Sequence, residues 1–187
     1  MAQTPVTDIR IETSRLILRP PRLEDLDAWA EMMTDETTAK FIGGVVPRSV
    51  SWRALMTMIG SWHALGFAMF SVIDKSSGRW VGRLGPWMPE GWPGTEVGWA
   101  ISRECWGRGY ATEGAIAATD WAFDHLGWSN VIHSIDPANV ASQDVAKRLG
   151  SRNLGPGKLP PPFQNSVIDL WGQSRDEWRA YRSSVRT

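Results

Sequence analysis

The first third of the chain consists of a short apolar run followed by segments with helical spacing. Residues 15–19 (RLILR) form a strand-like run that ends at Pro20. Apolar residues then recur at helical intervals over residues 23–33, and a second such stripe lies over residues 52–62. Gly66 follows that stripe, and glycine is a common stop signal for a helix. The pattern therefore predicts one strand and then two helices.

The middle of the chain carries three β-rich segments. Residues 67–74 (FAMFSVID) and 79–87 (RWVGRLGPW) flank a short turn that contains Gly78, which is typical of a β-hairpin. Residues 95–101 (TEVGWAI) form the third segment. A loop rich in Pro, Gly and Trp at 85–94 (GPWMPEGWPG) precedes it, and a loop of this length is often functional.

Helices and strands alternate in the last part of the chain. Alanines recur every three or four positions over residues 111–122, which predicts a helix that lies close against a sheet. Residues 131–135 (VIHSI) predict a buried strand, and residues 139–149 predict a helix. A last strand is expected near residues 166–172 (SVIDLWG), and one more short strand is possible at 151–154.

The predicted order of elements is β-α-α-β-β-β-α-β-α-β, with antiparallel hairpins first and a βαβ crossover later. This order predicts an α+β (mixed α/β) fold with a mostly antiparallel mixed sheet of six to seven strands and about four helices. The chain shows no internal repeat and no convincing linker. We therefore expect a single domain over residues 1–187.

Composition limits the classes of partner and site. Twenty Lys and Arg residues balance twenty Asp and Glu residues, so no overall field favours nucleic acid or an anionic membrane. No apolar run is long enough to span a bilayer. Cys105 is the single cysteine, and the first ten residues do not resemble a signal peptide. We expect a cytoplasmic protein without nucleic acid or membrane partners, and without a metal because the three histidines lack metal-site spacing.

The segment ECWGRGYATEGA (104–115) is the strongest candidate for chemistry. It places Gly107 and Gly109 around Arg108, between a predicted strand and a predicted helix. The first N–H groups of a helix have no intrahelical acceptors and carry a partial positive charge, so they bind anions well. Glycines let the backbone approach the anion, and the arginine adds charge. The segment therefore predicts a phosphate site.

Three phosphate ligands compete for this segment. A nucleotide P-loop requires Lys and then Ser or Thr after the glycines, whereas Tyr110 and Ala111 follow here. A nicotinamide dinucleotide is a weaker alternative, because Asp136 ends the next strand but Thr112 replaces the third glycine of that fingerprint. The third ligand is the pyrophosphate of coenzyme A.

Residues 106–113 (WGRGYATE) resemble the acyl-CoA loop of the GNAT superfamily of N-acetyltransferases, in the branch that acetylates the N-termini of ribosomal proteins. Other segments of the chain resemble the same branch in the expected order. They are residues 15–19, 96–99 (EVGW), 139–142 (NVAS), 147–150 (KRLG) and 171–178 (WGQSRDEW). The resemblance spans nearly the whole chain and implies a GNAT-type fold.

The resemblance also implies a reaction and a co-substrate. An acetyl group passes directly from acetyl-CoA to a primary amine, either a protein N-terminal amine or a small amine. The implied contacts to acetyl-CoA come from the strand before the glycine loop, the loop itself and the start of a later helix. These residues are Trp99, Ala100, Ile101, Ser102, Gly107, Arg108, Gly109, Tyr110, Ala111, Thr112 and Asn139.

Direct transfer to an amine requires a base and benefits from an acid. Glu96 is the candidate base, acting through water, because strand alternation places it on one side with Gly98 and Ala100, which leave room for a ligand. Ser142 is the candidate acid, since it matches a serine near the thioester sulfur in similar enzymes. Capping of a helix by Asn139 and Ser142 is compatible with such a role.

The loop at 85–94 is the candidate acceptor surface. Trp87 and Trp92, together with Trp52 and Trp62 of the preceding helix, would suit an apolar or cationic acceptor through stacking or cation–π contact. A non-catalytic acyl-CoA sensor is the alternative from another functional class. We expect a monomer or a homodimer.

Overall fold

The computed structural model describes residues 9–185 and shows a three-layer arrangement of helices around one sheet. The strands are β1 Ile11–Glu12, β2 Leu16–Arg19, β3 Phe70–Asp74, β4 Trp80–Trp87, β5 Glu96–Ile101, β6 Asn130–Ile135, β7 Arg152–Gly157 and β8 Ile168–Ser174. The helices are α1 Leu26–Met32, α2 Glu36–Ala39, α3 Arg48–Leu65, α4 Tyr110–Asp124, α5 Val140–Arg148 and α6 Arg175–Val185. None of these helices is long and apolar enough to cross a membrane.

The eight strands form one mixed sheet in the order β1-β2-β3-β4-β5-β6-β8-β7. Each neighbouring pair is antiparallel except β5 and β6, which are parallel. Helix α4 connects these two parallel strands and contacts β4 and β5. A parallel pair requires such a crossover, whereas the hairpins elsewhere need only turns. The predicted mixed, mostly antiparallel sheet is therefore confirmed.

The structure adds elements that the sequence patterns did not predict. Among residues 9–185 there are eight strands and six helices, instead of six to seven strands and about four helices. The two-residue strand β1 and the four-residue helix α2 are too short to produce a period. Helix α6 has a polar sequence in which Trp178 is its buried residue. The expected loop at 85–94 is also shorter, because β4 continues through Trp87.

Aromatic side chains fill the core between α3, α4 and the sheet. Trp62 and Trp121 each pack against Phe70, with ring centroids 5.0 and 5.3 Å away. Trp62 is 1% exposed, and its indole N–H donates to the Met69 carbonyl oxygen. The suggestion that Trp62 lines an acceptor surface is therefore wrong, because large aromatic rings bury most surface in a core. Trp52, in the first part of the same helix α3, is exposed.

A buried ion pair joins β2 to the chain that enters α1. The guanidinium of Arg19 donates to both carboxylate oxygens of Asp25, at 2.9 and 2.7 Å. Asp25 also accepts from the backbone N–H of Arg22 and from the hydroxyl of Ser71 on β3. The indole of Trp80 on β4 donates in turn to the Ser71 hydroxyl. This network fixes α1 against three strands.

We expect Asp25→Asn to lower the free energy of unfolding by about 3 kcal/mol, because it leaves the Arg19 charge without its partner. Urea unfolding followed by tryptophan fluorescence measures this loss. Glu24→Gln is the matched control, since Glu24 contacts the same guanidinium at 3.4 Å but its side chain is 65% exposed. The control should change stability by less than about 0.5 kcal/mol. Equal losses in both variants would contradict this role for Asp25.

Candidate active site

The sheet opens between β5 and β6. Their register contains a single pair, Glu96 with Ile132, and the Ile132 N–H donates to the Thr95 carbonyl oxygen at 2.9 Å. Thr95 and Val97 turn their carbonyl groups towards β6. The N–H and C=O groups of successive residues point to opposite edges of a strand. Those of Trp99 therefore point towards β6, as those of Thr95 and Val97 do. They lie where β6 has already separated from β5, so this strand edge is open to a ligand.

The ring of His133 lies inside this opening. Its Nδ1 is 2.7 Å from the Val97 carbonyl oxygen and its Nε2 is 2.9 Å from the Ser151 hydroxyl. A carbonyl only accepts, so Nδ1 carries the proton. Burial lowers the pKa of His133 to about 4, which keeps the ring neutral. No sequence signal marked these contacts of His133, because it resembles any polar residue in a strand.

The glycine segment forms an exposed cradle at the start of α4. Gly107 and Gly109 have φ values of 74° and 76°, a region that favours glycine. The first helical hydrogen bond runs from the Glu113 N–H to the Gly109 carbonyl oxygen. The N–H groups of residues 110–112 therefore have no intrahelical acceptor. A Cβ built on Gly107 would have no atom within 4 Å, so a bulky anion has room to approach.

Glu113 fastens this cradle to the chain before β2. It accepts hydrogen bonds from the Thr13 and Ser14 hydroxyls and from both the backbone and the side chain of Arg15. Arg15 also donates to the Arg108 carbonyl oxygen at 2.8 Å. Burial alone would raise the pKa of Glu113, but these hydrogen bonds and the Arg15 charge outweigh it and lower the pKa. The contact spans about a hundred residues of sequence, so the sequence patterns did not reveal it.

Glu96 is buried, with 7% of its surface exposed. Its Oε2 accepts from the Trp92 indole at 2.5 Å and from the Ser134 hydroxyl at 2.8 Å. Burial raises the pKa of Glu96, and the hydrogen bonds and the charge of Arg83 only partly oppose this shift. The carboxyl is thus held in a fixed position and biased towards accepting a proton.

The two tryptophans of the predicted acceptor surface lie beside Glu96. Trp87 is opposite Glu96 in the register of β4 and β5. The rings of Trp87 and Trp92 meet edge to face at 6.4 Å, and Trp92 meets Phe163 in the same way. Phe163 belongs to the segment between β7 and β8 and is partly exposed. An aromatic wall therefore covers the base candidate.

Ser142 and Asn139 lie at the start of α5. The Asn139 side chain accepts from the Ser142 N–H at 3.1 Å, so Asn139 is the N-cap of this helix. The Ser142 hydroxyl oxygen accepts from the Trp99 indole at 3.3 Å. Its own proton is therefore available to another acceptor. Ser142 thus takes part in the capping of α5 through its backbone N–H and keeps its hydroxyl proton for another acceptor.

Glu96 and Ser142 lie on opposite faces of the sheet. Side chains alternate along β5, so Glu96 and Trp99 point to different faces, and Ser142 contacts Trp99. The opening between β5 and β6 connects the two faces. A ligand that contacts both side chains has to pass through this opening.

The strand residues expected to contact acetyl-CoA divide into two sets. Trp99 and Ile101 face the opening, although the Ile101 carbonyl oxygen already accepts from the Trp106 indole at 2.7 Å. Ala100 pairs with Arg83 on β4, and the Ser102 N–H donates to the Val81 carbonyl oxygen. The backbone of Ala100 and Ser102 is therefore turned away from the opening.

Two further observations concern reactive groups. Cys105 is 7% exposed, and burial raises the pKa of its thiol, which opposes a nucleophilic role. Within residues 9–185, no group of three or more His, Cys, Asp and Glu side chains is arranged to hold a metal ion.

A family model described as an acetyltransferase (GNAT) domain matches residues 15–152. The chain belongs to the GNAT acetyltransferase family. The match includes the cradle, Glu96 and Ser142. GNAT domains use acetyl-CoA, so membership makes the chain an acetyl-CoA-dependent acetyltransferase.

Individual proteins agree with membership of the GNAT family. The chain is 29% identical over 162 residues to an N-acetyltransferase called p20 of Bacillus licheniformis, a match that covers 85% of this chain and 91% of the relative. An acetyltransferase from Agrobacterium tumefaciens superimposes with a TM-score of 0.77 and 26% identity, covering 89% of this chain and 95% of that structure. A ribosomal-protein-S5-alanine acetyltransferase from Vibrio fischeri shares the fold, with a TM-score of 0.71, 19% identity and coverage of 91% and 99%.

We expect Trp92→Phe to raise the pKa of Glu96 further, because the indole N–H stabilises the ionised carboxylate. Carboxyl ¹³C NMR titration measures this shift, and the spectrum of Glu96→Gln assigns the resonance. Trp87→Phe is the matched control, since Trp87 lies beside Trp92 but donates no hydrogen bond to Glu96. The Glu96 carboxylate accepts from the Trp92 indole and the Ser134 hydroxyl instead. An unchanged titration in Trp92→Phe would mean that this hydrogen bond does not form.

Proposed function

We propose that this GNAT acetyltransferase transfers the acetyl group of acetyl-CoA to a primary amine, with Glu96 as the base and Ser142 as the proton donor. The observation that carries this proposal is the opening between β5 and β6, with one candidate side chain on each face of the sheet. The family fixes the acetyl donor, and this arrangement supports the roles of the two residues.

The cradle suits the pyrophosphate of coenzyme A. The free N–H groups of Tyr110, Ala111 and Thr112 and the charge of Arg108 favour an anion. The backbone of Trp99 offers one donor and one acceptor to the amide groups of the pantetheine arm, and Asn139 caps the helix whose Ser142 contacts Trp99. When bound, coenzyme A supplies the acetyl thioester.

Glu96 removes a proton from the acceptor amine through a water molecule. An amine nitrogen attacks the thioester carbonyl carbon only after it has lost its positive charge. The raised pKa of Glu96 brings its proton affinity closer to that of the amine, which favours this transfer. Trp92 and Ser134 hold the carboxyl in place throughout.

Ser142 donates a proton to the leaving group, the thiolate of coenzyme A. As the bond between the carbonyl carbon and the sulfur breaks, the sulfur gains a negative charge. The Ser142 hydroxyl proton is available for donation because its oxygen accepts from Trp99. The location of Ser142 at the first turn of α5 also favours negative charge nearby.

The acceptor surface suits a primary amine of a protein N-terminus or of a small molecule. Trp87, Trp92 and Phe163 form an aromatic wall beside Glu96, and aromatic faces attract ammonium groups. We also infer that residues 1–187 act as one catalytic domain, as a monomer or a homodimer.

The test is thiol release from acetyl-CoA with a panel of primary amines. Glu96→Gln should lower kcat/KM by about a hundredfold or more, the usual effect of losing a general base. Ser142→Ala should lower kcat and leave the KM of the amine unchanged. Glu90→Gln is the control, because Glu90 is exposed in the loop between β4 and β5, and this variant should retain full activity. Binding of acetyl-CoA without any thiol release would favour the sensor alternative and overturn both roles.

We expect Gly107→Ala to weaken binding of coenzyme A about tenfold or more, since a Cβ there lies where phosphate oxygens approach the backbone. Gly127→Ala is the matched control, because Gly127 has a φ of +70° and equally open surroundings beyond the other end of α4. Both variants should lose roughly 1 kcal/mol of stability through backbone strain. Isothermal titration calorimetry measures the affinities. Equal affinities in the two variants would place the phosphates elsewhere.

A further inference from the structure

Arg83 lies on the same face of the sheet as Glu96. It is opposite Ala100 in the register of β4 and β5. Directly opposed residues share a face, and Ala100 and Glu96 are four residues apart on β5. The charge of Glu96 acts on Arg83 and raises its pKa, although burial, the larger effect, lowers that pKa to about 10. Arg83 therefore keeps its positive charge at neutral pH on the acceptor side of the opening.

The guanidinium of Arg83 has few partners within the described part of the chain. Its Nη1 donates to the thioether sulfur of Met69 at 2.9 Å, and the group lies 5.0 Å from the ring centre of Trp29. Its Nε is buried and has no hydrogen-bond partner, and among residues 9–185 no carboxylate lies within 4.0 Å of it. Sulfur is a weak acceptor. Because a partly buried charge without acceptors is costly, the arrangement favours an external anion.

The side chain of Met69 lies over Gly98, between Arg83 and Glu96. A Cβ built on Gly98 would be 2.7 Å from the terminal methyl group of Met69 and 3.2 Å from Oε1 of Glu96. Met69 is the residue that contacts Arg83. Because glycine has no side chain, the Met69 methyl group packs directly on Gly98, so the residue that contacts the guanidinium and the carboxyl of the base meet at the same position on β5.

We propose that Arg83 binds the carboxylate of an acceptor whose primary amine faces Glu96, so that the substrate class is amino acids. This inference rests on the proposed function of Glu96 as the base. The guanidinium fork matches a carboxylate in geometry and can donate two parallel hydrogen bonds. The opposite charges of Arg83 and Glu96 complement the ammonium and carboxylate groups of a zwitterion, and a neutral amide loses one of these attractions.

The test compares matched acceptors in the thiol-release assay. The acceptors are free amino acids with aromatic, aliphatic and polar side chains, together with the carboxamide of each. In the native protein we expect kcat/KM for an accepted amino acid to exceed that for its amide by at least about tenfold, the usual effect of a charge-assisted hydrogen bond. Arg83→Met should remove this preference, lowering the rate with the acid more strongly than the rate with the amide. Arg83→Lys should restore part of the preference.

Arg53→Met is the control for loss of a positive charge, because Arg53 is exposed on α3 and should leave the preference unchanged. Thermal unfolding of each variant with acetyl-CoA checks the fold and the donor site. Equal losses with acid and amide in Arg83→Met, or a native preference for amides, would overturn the role of Arg83 while leaving the proposed function in place. Failure of the native protein to acetylate any of these amines would also overturn the role of Arg83, and the proposed function would fall with it only if the wider panel of primary amines gave no thiol release either.

Discussion

The separation of β5 from β6 is the constraint on which the rest of the structure depends. Two parallel strands that diverge after one residue pair leave backbone groups on β5 without a strand partner, and buried backbone groups require hydrogen bonds. Side chains provide them, since the His133 ring bonds to the Val97 carbonyl oxygen and the Trp106 indole to that of Ile101. Trp99 lies between these two satisfied carbonyl groups. The gap is therefore a stable part of the fold, and its edge is open at one place.

The same separation explains why the two candidate catalytic groups differ in environment. Glu96 lies at the closed end of the gap, under the aromatic wall, where burial raises its pKa. Ser142 lies on the other face, at the start of a helix, where the positive end of the helix dipole stabilises negative charge. A base benefits from the first environment and a proton donor to a leaving thiolate from the second. Because the sheet separates the two side chains, the environment of each can favour its own role.

The order of most elements and the position of the glycine segment between a strand and a helix were predictable from sequence because they rest on local signals. The period of α3, the hairpin before β4 and the glycines at 107 and 109 each depend on neighbouring residues. The missing parts depend on contacts between distant segments. Arg15 meets Glu113, and Arg83 meets Met69, only after the sheet has formed. Short elements such as α2 could not be predicted for another reason, since four residues are too few to show a helical period.

Three of the twelve tryptophans are used at the same separation of strands. A ring of this size excludes water, and its single N–H can only donate. Three indoles use both properties at the opening, where Trp92 donates to Glu96, Trp99 to Ser142 and Trp106 to Ile101. A serine or lysine could supply a donor, but it would also admit water or add charge. Tryptophan thus binds each acceptor with one hydrogen bond, and at Glu96, which is 7% exposed, the ring also keeps water away. This suits a reaction whose thioester must react with an amine rather than with water.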